Sequence, residues 1–218
     1  MKSKSLLTVL MIPLLAAGPA ALTTEKQALL MALRTNSQQL STLQWKQKVT
    51  VIRKGTAMVP IVEEIRFDAT GQMRRTTLAR PEPKRMGPLK ARKAAEVKDT
   101  IEDVMQLARQ YADPRTFAQA VERGELWQGP HNLRIQARSV LLPGDDLSVA
   151  ASGATYLATR ADCKTQHEGD PIAIAIDYEQ LPNGPSVMRR MFVQIPKDDI
   201  AVHVESFDFV RLAAPTIP

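Results

Sequence analysis

The chain has 218 residues, with 29 lysines and arginines against 23 aspartates and glutamates, and one cysteine, Cys163. A single cysteine excludes an intramolecular disulfide and a cysteine-rich metal site, so stability must come from an apolar core, for which this length suffices. The formal charge of +6 is a modest excess, and 15 prolines with 10 glycines fit a chain of many turns.

The first residues have the form of an export signal. Lys2 and Lys4 precede an apolar run over residues 6–17 that is too short to span a bilayer, and Ala16, Ala17, Gly18, Ala20 and Ala21 offer a peptidase small residues to cut at. Residues 1–21 are expected to be removed, leaving residues 22–218 as one β-rich domain in the periplasm. No cysteine stands near the cleavage region to accept a lipid. Loss of Lys2 and Lys4 lowers the charge to +4, and what remains is concentrated. Arg80, Lys84, Arg85, Lys90, Arg92 and Lys93 lie close together with one acid, Glu82, among them. Such a segment suits anionic lipid headgroups, with transient membrane-surface contact, or an acidic envelope protein; export argues against nucleic acid.

Leu29, Leu33, Leu40 and Leu43 recur at helical spacing, predicting an amphipathic helix over residues 24–43 that Thr23 or Thr24 could cap. Trp45, Val49 and Val51 then alternate with Lys46, Lys48 and Thr50, and Ile61, Ile65 and Phe67 share a face of a second strand. Residues 68–71 form a turn, and residues 72–78 return as a third strand. Three prolines and a glycine make residues 80–88 a loop. Beyond it Val97, Ile101, Val104, Ala108 and Tyr111 draw an apolar stripe along a helix. A shorter helix follows, with Asp113 as cap, Pro114 at its first position, Phe117 and Val121 inward, and Gly124 closing it.

The last ninety residues alternate in polarity between turn clusters about ten residues apart, the signature of an antiparallel meander. Leu133, Ile135, Ala137 and Leu141 face one way, as do Ile172, Ile174, Ile176 and Tyr178. In the last strand, Val202 and Val204 are out of phase with Phe207 and Phe209, which predicts a bulge near Ser206. Helix, three strands, two helices and five or six strands make an α+β protein: one long, curved antiparallel sheet with helices over one face.

Motifs of chemistry are absent from this pattern. His131, His167 and His203 stand about thirty-six residues apart, with no spacing that would present two ligands from one element. Cys163 suits a small core position better than a nucleophile. Asp145-Asp146 and Asp198-Asp199 fit hairpin turns that tolerate acids, since neither supplies the oxygen series calcium needs. No phosphate loop, nucleophile elbow or paired-carboxylate signature is present, so no catalytic residue, metal ligand or cofactor is expected.

The amphipathic start before the Trp45 strand resembles the periplasmic lipoprotein-carrier (LolA-like) superfamily. So does the stretch from Ala154-Thr-Tyr-Leu-Ala-Thr-Arg through Gly169-Asp-Pro and Tyr178 to Leu181-Pro-Asn-Gly-Pro185, which is similar to outer-membrane lipoprotein-sorting sequences. The resemblance implies an unclosed half-barrel, with two or three helices covering its concave face around an apolar space for acyl chains. It thus implies a non-catalytic carrier or sensor of a lipid or lipoprotein acyl group. Trp45, Val49, Ile65, Phe67, Ile174 and Ile176 are candidate cavity residues. Because some members of the superfamily bind proteins, the alternative is an envelope regulatory module that docks an acidic partner through residues 80–93. No functional residue of the family transfers to a position of this sequence.

Overall fold

The computed structural model describes residues 19–68, 72–80 and 87–212. Most of the proposed export signal, the tip of the turn after Phe67, and Lys84 and Arg85 of the basic stretch lie outside the described residues. Among those described are three helices and eleven strands: α1 (Pro19–Leu40), β1 (Leu43–Arg53), β2 (Thr56–Ala57), β3 (Ile61–Phe67), β4 (Met73–Ala79), α2 (Pro88–Tyr111), α3 (Pro114–Arg123), β5 (Glu125–Gln128), β6 (Asn132–Arg138), β7 (Asp146–Ser152), β8 (Ala158–His167), β9 (Asp170–Gln180), β10 (Ser186–Ile195) and β11 (Ile200–Arg211).

All strands join one antiparallel sheet in the order β4-β3-β1-β11-β10-β9-β8-β7-β6-β5, with the short β2 paired to β1 off this path. The last strand is therefore the hinge of the topology, because β11 bonds the N-terminal strands to the meander. β4 and β5 lie at opposite edges and do not pair with each other, so the sheet is an unclosed half-barrel. The α+β architecture predicted from the alternation is the one observed.

Alternation fixes which side chains meet the helices. Ile172, Ile174 and Ile176 of β9 are buried, as are Val202 and Val204 of β11. These pack with Leu29 and Leu33 of α1, Val104, Ala108 and Tyr111 of α2, and Phe117 and Val121 of α3 in the main core. Each valine, leucine, isoleucine or phenylalanine among them contributes about 1.5–3 kcal/mol on full burial. A smaller cluster of Leu43, Trp45, Ile65 and Val187 sits beside it, flanked by Leu40, Phe67, Leu181 and Phe209.

Bulges crease the sheet beside this smaller cluster. One residue is unpaired between Ala158 and Arg160 in β8, another, Arg189, in β10, and a third in β11 between Phe207 and Val210, where Asp208 takes φ +53°. Extra residues bend their strands and raise the local twist. The predicted interruption of β11 exists, but it lies at Asp208 and not at Ser206. Ser206 stays in the inward register and is buried, and the extra residue is what turns Phe209 inward again.

Four further details depart from the sequence expectation. α1 begins at Pro19, upstream of Thr23 and Thr24, a start that proline tolerates in a first helical turn. α2 begins at Pro88, so Lys90, Arg92 and Lys93 lie in its first turns and not in a loop. β6 ends at Arg138, short of Leu141, because Ser139 takes φ +53° and the next residues fold over Asp145. Gly124 does end α3, but at φ −78°, so it is no left-handed cap. Its place is set by space: a Cβ there would stand 2.5 Å from Ala120 O, 2.7 Å from Gln136 O and 2.9 Å from Ile135 Cγ2.

Candidate functional site

The helices do not fill the creased end of the sheet. A cavity of about 540 Å³ remains between the C-terminal half of α1, the α2–α3 junction and strands β1, β3, β4 and β8–β11. Its volume is in the range of small-molecule sites. The floor is aromatic: Trp45 lies 6.0 Å from Phe67 and 6.3 Å from Phe209 between ring centroids. Leu33, Leu40, Phe117, Val187 and Met188 complete the apolar wall, and the exposed Ser37 and Gln72 stand at its rim. Alternation along β1 and β3 and the bulge in β11 turn the three aromatic side chains toward one another.

α1 forms one side of the cavity and is tied down at two places. Lys26 Nζ donates to Glu122 O at 3.3 Å and Gly124 O at 2.9 Å. Across the cavity mouth, Asn36 Nδ2 donates to Ser186 O at 3.0 Å and Ser186 N donates to Asn36 Oδ1 at 2.7 Å. A second, shallower cleft of about 490 Å³ flanks the same stretch of α1 and is lined by Met31, Thr35, Gln39 and Tyr156. The helix between Met31 and Leu40 is thus bordered by space on two sides.

Polar groups mark the wall at a few points. Gln47 points inward from β1 and donates to Ser206 Oγ at 3.2 Å. Asp113 accepts from Arg115 N, Nε and Nη2, and these bonds outweigh its burial and hold its carboxyl below the usual range. Arg75 Nη1 meets Glu63 Oε2 at 3.2 Å, while burial draws the Arg75 guanidinium down. Arg109 is drawn down to about 10, first by burial and then by the neighbouring Arg75 charge. The phenol of Tyr178, stacked edge-on against Phe117 at 5.6 Å, is pushed up by burial, and its hydroxyl has no hydrogen-bond partner among the described residues.

Of the residues singled out from sequence, Trp45 and Phe67 line this cavity. Ile65 is fully buried behind them in the smaller cluster, and Val49, Ile174 and Ile176 belong to the main core, away from the wall. The reason is position along the strands, since all lie on the inward face but only its creased end is left uncovered. Arg80, Arg92 and Lys93 are exposed and apart from the cavity, and of Lys90 only the backbone is described.

Gln47, Arg75, Arg109 and Tyr178 were not among the expected cavity residues. Two had legible signals. Gln47 occupies the inward phase between Trp45 and Val49, and Arg109 sits four residues after the buried Met105 and three before Ala112 on the packed side of α2.

The buried polar centre of the protein lies elsewhere. Asp145, 1% exposed, accepts from Val140 N at 2.7 Å, Leu141 N at 2.9 Å, Leu142 N at 3.0 Å and the Tyr111 hydroxyl at 2.6 Å. Burial opposes its charge, yet these donors hold the carboxyl below its ordinary range. Asp145 is therefore a structural acid that organises the β6–β7 connection, and not a solvated turn residue as its sequence context suggests. Cys163 is a buried thiol, pushed up to about 12 by burial and then by Asp145. His131 and His203 are exposed, and His203 packs against Phe192 at 4.4 Å. Among the described residues no three His, Cys, Asp or Glu side chains are grouped to hold a metal ion, and no helix is long and apolar enough to cross a membrane.

No family model matches the chain, and no curated protein matches it. Among solved structures it is similar to a DUF1329 family protein from Desulfovibrio piger at 8% identity, over 90% of this chain and 95% of that one, with a TM-score of 0.44. It is similar to a LolA superfamily protein from Nitrosomonas europaea at 10% identity, over 88% and 94%, with a TM-score of 0.42. It is also similar to a chain of the Pseudomonas aeruginosa MucA/MucB complex at 10% identity, over 85% and 99%, with a TM-score of 0.25.

Proposed function

We propose that this protein is a non-catalytic periplasmic carrier or sensor whose cavity takes the acyl chain of a lipid or lipoprotein. The observation that carries this reading is the uncovered end of the sheet, where Trp45, Phe67 and Phe209 floor an apolar space that α1 borders without filling. Each CH₂ buried there would gain about 0.8 kcal/mol. Two polar groups of the wall are already engaged in holding structure: Ser186 Oγ donates to Ala158 O, and Asp113 is clamped by Arg115. That arrangement suits retention of a ligand better than its conversion. Residues 1–21 serve in this account as the export signal and residues 22–218 as the working domain, which N-terminal sequencing of the periplasmic form tests directly.

Native mass spectrometry of the protein isolated from the periplasm, followed by denaturing lipid extraction, tests the reading. A co-purifying lipid that is lost from Ser37→Phe, a rim substitution at an exposed helical position, is the expected result. A clean apo mass with no uptake of added phospholipid or acylated peptide would sink it.

A second reading has support in one observation. α2 starts at Pro88 behind the N-cap Gly87, with no side-chain cap and no acid in its first turn, while Lys90, Arg92 and Lys93 follow. Cations there oppose the helix dipole, and an acidic protein partner would relieve the conflict. Arg92 is 83% exposed and, among the described residues, is paired with Glu96 at 3.3 Å. Reversal of charge at Lys84, Arg85, Lys90 and Arg92 would then weaken capture of an envelope partner and its salt sensitivity; unchanged capture would dismiss this version.

A further inference from the structure

The charges around the cavity do not balance. Three arginines line it, Arg75, Arg109 and Arg115, together with one acid, Asp113. Arg115 is spent on Asp113 at 2.8 Å, and Arg75 is matched from behind the wall by Glu63 at 3.2 Å. Arg109 is left, half-buried, with no hydrogen bond or ion pair among the described residues; it feels the charge of Glu63, which is already bonded to Arg75, and of Glu102. Of the acids on its own helix, Glu102 is exposed and engaged with Lys98 at 3.4 Å. A half-buried guanidinium with no bonded partner of its own is a costly group to keep, because an acid shared with Arg75 and another exposed to solvent offset its desolvation only in part. The Tyr178 hydroxyl, buried in the same wall, is likewise an unanswered donor.

Resting on the acyl-binding reading, we infer that the ligand carries one anionic head group, a carboxylate or a phosphate, and that Arg109 receives it while the chain lies over Trp45, Phe67 and Phe209. The guanidinium offers a planar fork of donors matched to either anion. The Tyr178 hydroxyl is available as a further donor. The apolar floor alone would accept a neutral or cationic amphiphile equally well, so head-group preference separates this inference from simple greasiness.

The test holds the chain constant and changes the head: dodecanoate, dodecyl phosphate, dodecanol and dodecyltrimethylammonium, each below its aggregation concentration. Binding is read by Trp45 fluorescence in a Trp127→Phe background, since Trp127 is the only other tryptophan and lies exposed on the edge strand β5. At least one anion should bind tenfold or more tighter than the alcohol, a difference of 1.4 kcal/mol. Arg109→Gln should abolish that preference by weakening the anion at least tenfold more than dodecanol, and Arg92→Gln, outside the cavity, should change neither affinity nor preference. Whether carboxylate or phosphate binds tighter distinguishes a fatty-acid-like source from a phosphorylated one. Equal binding of anion and alcohol, tightest binding of the ammonium, or a preference that survives Arg109→Gln would overturn the inference and leave the acyl-binding reading standing. Failure of all four probes to bind would overturn both.

Discussion

Replacing Asp145 by asparagine removes a charge while keeping the shape, and the structure sets the size of the effect. Oδ2 accepts from Leu141 N, Leu142 N and the Tyr111 hydroxyl, and Oδ1 accepts from Val140 N alone. The asparagine amide would therefore settle with its oxygen toward the three donors and its NH₂ facing the Val140 N–H, leaving one buried donor unanswered. That orphan costs about 1–3 kcal/mol, and Asp145→Ala, which abandons all four donors, costs about 3 kcal/mol or more. Tyr111 retains Thr165 Oγ1 at 3.2 Å, which limits the loss. Urea unfolding of both variants is the assay, with Asp99→Asn on the wet face of α2 as a control expected within about 0.5 kcal/mol of wild type. The pH dependence supplies an independent sign. Because the folded carboxyl is held below its unfolded range, the unfolded state binds more protons in that window. The stabilisation is therefore present above the ordinary carboxylate range and lost as pH falls through the folded value. Asp145→Asn should flatten that acid limb. A variant as stable as wild type, with the same acid limb, would refute the assignment of Asp145 as the organiser of this connection.

Gly124→Ala should destabilise by about 1–3 kcal/mol, because two of its three short contacts are to backbone carbonyls that cannot move aside. Gly87→Ala, with nothing within 4 Å of the added carbon, should cost less than Gly124→Ala in the same chemical denaturation series, its only penalty being the poorer N-cap. Cys163 should resist a thiol reagent at pH 8 and react at once in guanidinium, since its thiol is buried and raised to about 12; rapid labelling of the native protein would contradict its placement. Asn36→Ala removes both bonds that hold α1 to Ser186. It should speed ligand uptake in stopped-flow mixing and loosen amide protection in the C-terminal half of α1, with protection elsewhere unchanged.

The sheet was legible in the sequence because one inward face leaves a period-two record, and Ile172, Ile174 and Ile176 state it plainly. α3 was legible for the same kind of reason: Asp113 caps it, Arg115 N donating at 2.8 Å, and Pro114 opens it. β5 escaped notice because four residues with half-buried Leu126 and exposed Trp127 carry no alternation to detect. Asp145 escaped because its role depends on where Tyr111, 34 residues earlier, comes to rest. The cavity was legible only in part. Trp45 and Phe67 announce an apolar inward face, but whether a helix covers Ile174 and leaves Trp45 open is decided by the bulges at Arg189 and Asp208, whose effect is on strand curvature and not on any local motif.

The central claim is that an acyl chain lies on Trp45. Contact quenching of Trp45 emission by a dodecanoate brominated near its chain end, in the Trp127→Phe protein, tests it most directly. The account predicts saturable quenching that is lost when Ser37→Phe narrows the mouth of the cavity. Saturable binding of the brominated chain with Trp45 emission unchanged would place the ligand elsewhere and contradict it.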